Sequence, residues 1–166
     1  MSAAFTGVYV AAPAASASAD TVPQGIYSYS ASNGETATWE IWPSCVPIVG
    51  DLREPLDLPI GCSLNIKAST GRSGRAKLSG DQWLFIDDNY MGITCPDGTT
   101  ASVLTTYRFD GTTLHGEVSV SHGRSCESSQ PNLTKDTFTL TYTAPLAVPV
   151  QRYPLQCEPG GLRRCS

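Results

Sequence analysis

The feature that most constrains this chain is a period-2 alternation of apolar and polar residues that recurs from Ala37 to Tyr142. Ala37, Trp39 and Ile41 alternate with Thr38 and Glu40; Cys62, Leu64 and Ile66 alternate with Ser63, Asn65 and Lys67; Ala76 and Leu78 alternate with Arg75 and Lys77. Further on, Leu114, Val118 and Val120 alternate with His115, Glu117 and Ser119, and Phe138, Leu140 and Tyr142 with Thr137, Thr139 and Thr141. Successive side chains of an extended strand point to opposite faces, so each segment is a strand with one buried and one wet face. Shorter or less regular candidates lie at 26–30, 82–87 and 103–109. No segment repeats its apolar residues at helical spacing, and very little helix is expected.

The separators carry turn chemistry. Ser32-Asn33-Gly34 and Asp110-Gly111 offer the positive φ angles that two-residue hairpin turns need, and Ser79-Gly80-Asp81 and Pro96-Asp97-Gly98 break the chain elsewhere. Eight short strands joined mostly by tight turns form an antiparallel meander. The expected fold is all-β, closing as a small barrel, with a two-sheet β-sandwich as the alternative. The barrel is preferred because sequential hairpins close on themselves without a Greek-key crossover.

Six cysteines follow the strands. Cys45 follows one strand and Cys62 begins the next, so a bond between them pins the intervening proline-rich loop at its base. Cys95 and Cys126 bracket a hairpin, each just beyond a strand end, and Cys157 with Cys165 closes only the tail. These local pairs are the expected disulfides, because the C-x2-C and H-x3-5-H spacings of a zinc site and the C-x-x-C of a redox thiol pair are missing from the sequence. Residues 1–19 carry no charge and end Ala17-Ser18-Ala19, an A-x-A-like cleavage site without the usual basic n-region. They are expected to be a signal peptide shortened at its N-terminus, with a β-domain over 20–144 and an extended, disulfide-tied tail over 145–166. An even cysteine count behind such a leader points to an oxidising destination, secreted or at the cell envelope. The net charge of −4, with 16% charged residues, argues against a nucleic-acid partner. No later segment is long and apolar enough to span a bilayer, and a monomer without cofactor or metal is expected.

The order of landmarks resembles a group of exported mycobacterial β-domain proteins of unassigned function. Their domain also forms the extracytoplasmic part of some actinobacterial serine/threonine kinases. The residues that carry the resemblance are Gly25-Ile26-Tyr27, Trp39 then Cys45, Gly61-Cys62, Gly80-Asp81-Gln82-Trp83, Cys95-Pro96-Asp97-Gly98, Gly111-Thr112-Thr113-Leu114-His115-Gly116 and Cys126. The match covers roughly 24–143. It implies an exported domain and carries no catalytic residue over. Two features depart from the group: an insertion over 46–60, and the third cysteine pair.

Candidate sites are few. His115 falls on the polar face beside Glu117, and His122 at a strand end, where one backbone hydrogen bond is expected; neither has an identifiable nucleophile within reach. Asp87-Asp88 with Asn89 could offer oxygens to Ca²⁺, but reads first as a solvated strand end and turn. Trp39, Trp83, Phe85, Tyr107, Phe109, Phe138 and Tyr142 sit in the apolar register and are expected in the core. Trp42 is out of phase with Trp39 and Ile41 and is expected to face outward. The insertion over 46–60, with Pro47, Pro55 and Pro59, is too rich in proline for a central strand, and a long loop in a compact domain is often functional. Trp42 with Val46, Pro47, Ile48, Val49 and Leu52 is therefore the expected contact patch. The function that follows is a secreted, non-enzymatic binding or interaction module, whose partner is an unknown protein. A barrel carrying a small apolar ligand is the alternative, and a small hydrolase using His115 or His122 a second one.

Overall fold

The computed structural model describes residues 22–45, 61–124, 126 and 130–151. Every expected strand is present: β1 (Gly25–Ala31), β2 (Thr36–Cys45), β3 (Cys62–Ala68), β4 (Ser73–Ser79), β5 (Gln82–Thr94), β6 (Thr100–Asp110), β7 (His115–His122) and β8 (Asn132–Ala144). Each pairs antiparallel with its neighbour in sequence, and β8 returns to pair with β1 through contacts such as Tyr29↔Leu140 and Ala31↔Phe138. The meander therefore closes as a barrel, and no helix occurs among the described residues.

Alternation sorts the side chains. Tyr29, Trp39, Ile41, Leu64, Ile66, Phe85, Tyr107 and Phe109 all point inward and are buried. An eight-stranded barrel is just wide enough for side chains to fill, and here aromatic rings do so. Trp39 stacks on Tyr29 with ring centroids 5.1 Å apart and meets Tyr107 edge-on at 5.2 Å. Phe85, Phe109 and Phe138 complete the contacts around it, at 6.1, 6.5 and 5.9 Å. Offset and edge-on pairs of this kind add stability beyond the area they bury. Rings this large fit only where facing positions are small. A Cβ at Gly116 would strike the backbone carbonyl oxygen of Arg108 and come within 2.6 Å of the Phe138 ring.

Three hairpin turns at one end of the barrel are built alike. In β1–β2, the Gly34 N–H donates to the Ala31 carbonyl and the Ala31 N–H to that of Glu35. Gly71 with Ala68 and Arg72, and Gly98 with Cys95 and Thr99, repeat both bonds in β3–β4 and β5–β6. The glycines have φ of 89°, 90° and 83°. This is a three-residue loop with a left-handed glycine as its bulge residue, so the two-residue turn expected at Ser32-Asn33-Gly34 is corrected. The two-residue turn occurs at β4–β5, where Ser79↔Gln82 flank Gly80-Asp81 and Gly80 has φ 66°. At Asp110-Gly111 the expected turn is also replaced. The Asp110 carboxylate accepts the N–H groups of Thr112 at 2.9 Å and Thr113 at 2.6 Å, and Leu114 takes the positive φ of 59°. An Asp side chain that satisfies the backbone two and three residues on makes the wider loop self-supporting.

Cys45 and Cys62 face each other across β2 and β3 and are bonded, as are Cys95 and Cys126. The signal-peptide reading, the loop over 46–60 and the Cys157–Cys165 pair lie outside the described residues. Two strands outrun expectation. β5 continues to Thr94 through a bulge between Asn89 and Ile93, and β8 begins at Asn132. Tyr142 is the aromatic whose burial differs from expectation: it pairs with the buried Tyr27 and meets its ring edge-on at 5.6 Å, but near the end of β8, beside a register shift, it is 53% exposed and lies against Gly25.

Gly116→Ala is expected to lower stability by about 2–3 kcal/mol, since a backbone oxygen stands in the way and overpacking has no room to relax. Gly123→Ala, with nothing within 4 Å of the added carbon, should change stability by less than about 0.5 kcal/mol. Urea denaturation of both variants checks the pair. Replacing Cys45 and Cys62 together by serine should cost roughly 3 kcal/mol by the loop-entropy estimate for a bond spanning 17 residues, readable in the same assay.

Candidate functional site

The shared turn geometry places two opposite charges at one mouth of the barrel. Glu35 and Arg72 each follow the left-handed glycine of their turn, so they occupy equivalent positions on neighbouring hairpins. Arg72 Nη1 donates to Glu35 Oε1 at 2.7 Å and to Tyr107 Oη at 2.8 Å, and its Nε lies 3.6 Å from Asp87 Oδ2. The β4–β5 ladder covers only Lys77↔Leu84 to Ser79↔Gln82. Arg72, just before β4, thus reaches Asp87 on β5 where backbone pairing between these strands has ended. Asp136 on β8 accepts from Ser32 Oγ at 3.0 Å and Asn33 Nδ2 at 3.3 Å. Beneath these polar groups lies the Tyr29 hydroxyl, buried and without a hydrogen-bond partner.

Burial disfavours the charged phenolate, and it is the main reason the Tyr107 hydroxyl is pushed up to about 12; Glu35 and Asp87 add to the shift while Arg72 opposes it. Tyr29 is raised as well, by burial first and by Tyr107 and Glu35 next. Both hydroxyls stay protonated through the physiological range.

A second place of interest is the outer wall. Trp42 faces outward and is half-buried, between the buried Ile41 and Pro43. It lines a groove of about 240 Å³ with Ile26, Glu40, Leu146, Ala147, Val148 and Val150. Of the patch read from the sequence, Trp42 is described, and Val46, Pro47, Ile48, Val49 and Leu52 lie outside the described residues. What the structure brings to Trp42 is the segment after β8. Its signal was in the chain: Leu146, Val148 and Val150 recur at every second position, in a stretch otherwise read only as tail.

The remaining candidates are dispersed. His115 Nδ1 lies 3.0 Å from Thr139 Oγ1 on the exposed outer face, and His122 Nδ1 lies 3.0 Å from the Gly123 carbonyl at the rim. Asp87 and Asp88 are strand neighbours on opposite faces: Asp87 turns in to Arg72 and Asp88 is exposed. Alternation therefore prevents the two from sharing a cation, and they lie within β5, not at its end. The β5 bulge exposes Tyr90 and Met91, where the Met91 N–H donates to Asn89 Oδ1 at 3.1 Å. Among the described residues no helix is long and apolar enough to cross a membrane.

The chain matches no protein-family model, no curated protein and no solved structure.

Because folding raises the Tyr107 hydroxyl from 10.0 to about 12, its contribution is complete below pH 10 and is lost as pH rises between these two values. Absorbance titration of phenolate formation should show a late group of tyrosines. Tyr107→Phe should shrink that group and flatten the alkaline fall in melting temperature.

Proposed function

We propose that this chain is a secreted, non-catalytic recognition module of the cell envelope that holds an extended apolar segment of a partner protein in the Trp42 groove. The observation that carries this reading is the groove itself. It is a largely apolar trough whose far wall, 146–150, lies outside any strand, bends at Ala147 and Val148, and sits beside Ile26 and Trp42. A half-buried Trp in a trough offers a large rigid contact at low entropic cost, the usual anchor of a protein interface. Three further points support the reading. The interior is occupied by the rings around Trp39, which directs recognition to the outside. The two described disulfides suit an oxidising compartment. The resemblance to exported mycobacterial β-domain proteins implies export. The chain acts as a monomer in this reading and needs no cofactor.

Selection of a random-peptide library on the folded chain, read by Trp fluorescence, tests it. Apolar peptides should bind, and Trp42→Ala should weaken them about tenfold or more while the barrel keeps its melting temperature within a few degrees. Peptides that bind equally well to Trp42→Ala would remove the groove from the proposal, and bound lipid in native mass spectrometry would favour a carrier instead.

A further inference from the structure

The barrel mouth carries a feature that the Trp42 groove leaves unused. Tyr29 is 1% exposed, and its hydroxyl has no hydrogen-bond partner. A buried hydroxyl left unpaired is a cost that phenylalanine, with the same ring, avoids. The groups whose fields reach this oxygen are Tyr107, Glu35, Arg72 and Asp136, and Asp87 joins them through Arg72. Two carboxylates, Glu35 and Asp87, pair with the one guanidinium, and Asp136, held by Ser32 and Asn33, adds a third negative charge to the mouth. Glu35 meets Arg72 through Oε1, which leaves its second oxygen for a guest. Beneath lie aromatic faces, with Tyr29 stacked on Trp39 at 5.1 Å and edge-on to Tyr107 at 6.2 Å. Negative charge over aromatic rings with an unused oxygen lone pair is a setting for a cation. No group of three His, Cys, Asp or Glu residues among those described is close enough to hold a metal ion, and a hydroxyl with a single carboxylate oxygen over aromatic faces matches the few N–H donors of an ammonium group.

We propose that this mouth binds a primary ammonium group, either a free alkylamine or a lysine side chain, with Tyr29 Oη and the second oxygen of Glu35 accepting its N–H bonds. Arg72 keeps Tyr107 and Asp87 in the complex.

Calorimetric titration of the full chain with 1-aminopentane, Nα-acetyl-lysine amide and the neutral control pentan-1-ol tests this. Both Tyr29→Phe and Glu35→Gln should weaken amine binding about tenfold or more, the loss expected for a hydrogen bond to a charged group. Pentan-1-ol should give no comparable heat. Tyr29→Phe should melt at the same temperature as the parent or higher, which separates lost binding from lost folding. Binding of both amines supports a lysine side chain as the guest, and binding of aminopentane alone supports a free amine. No amine binding at tens of millimolar, equal binding by Tyr29→Phe, or pentan-1-ol binding as well as the amines would each overturn the proposal. The first of these is the result expected if the hydroxyl merely holds a buried water.

Discussion

The packing of aromatic rings around Trp39 is the constraint on which the other features depend. A sheet of eight strands closes around a fixed cross-section, and that cross-section must be filled at close to crystalline density. Here Tyr29, Phe85, Tyr107, Phe109 and Phe138 converge on one indole from four other strands. The glycines at 74 and 116 are the counterpart of that choice. At each, a methyl group would meet a ring, that of Phe85 at Gly74 and that of Phe138 at Gly116. Large and small positions therefore form one design, and neither can change alone.

That core also explains why the interesting chemistry sits at the ends and on the outside. A filled barrel offers its wall and its rims. At one rim the turn glycines set Glu35 and Arg72 facing each other, and the Arg72 side chain bridges to β5 where the β4–β5 ladder has stopped. Tyr29 and Tyr107 belong to both regions: their rings are core, and their hydroxyls reach the polar mouth. Burial holds those hydroxyls protonated, so they are hydrogen-bonding groups and not charges. On the outer wall, Trp42 sits one position away from the buried Ile41, and alternation alone turns it toward solvent and the segment after β8.

The disulfides act at the same places. Cys45–Cys62 joins directly opposed residues of β2 and β3, so it fixes a register that the ladder already favours. Cys95–Cys126 ties the tip of the long β5–β6 hairpin to the connection between β7 and β8. That hairpin extends beyond its β4 partner, and a covalent tie holds an element that the barrel wall supports on one side.

Alternation by itself determined five of the eight strands, the faces of Trp39, Ile41, Leu64 and Phe138 and the outward turn of Trp42, because all of these depend on neighbours close in sequence; the two described disulfides were legible from cysteines placed near strand ends. Turn residues were read less well: Asn33-Gly34 and Asp110-Gly111 have the composition of tight turns, yet the Ala31 N–H donating to the Glu35 carbonyl, and the Thr112 and Thr113 N–H groups donating to the Asp110 carboxylate, selected wider ones. Only the tertiary structure decided closure, since the pairing of β1 with β8 joins residues more than a hundred positions apart and has no local signature. The same holds for the mouth. Glu35, Arg72, Asp87 and Tyr107 are ordinary surface or core residues when taken singly, and they meet because the summed stagger of all eight strand pairings brings their strand ends to one rim. Period-2 spacing tells which way a side chain faces, but the partner it finds there is set by the register of every strand between them.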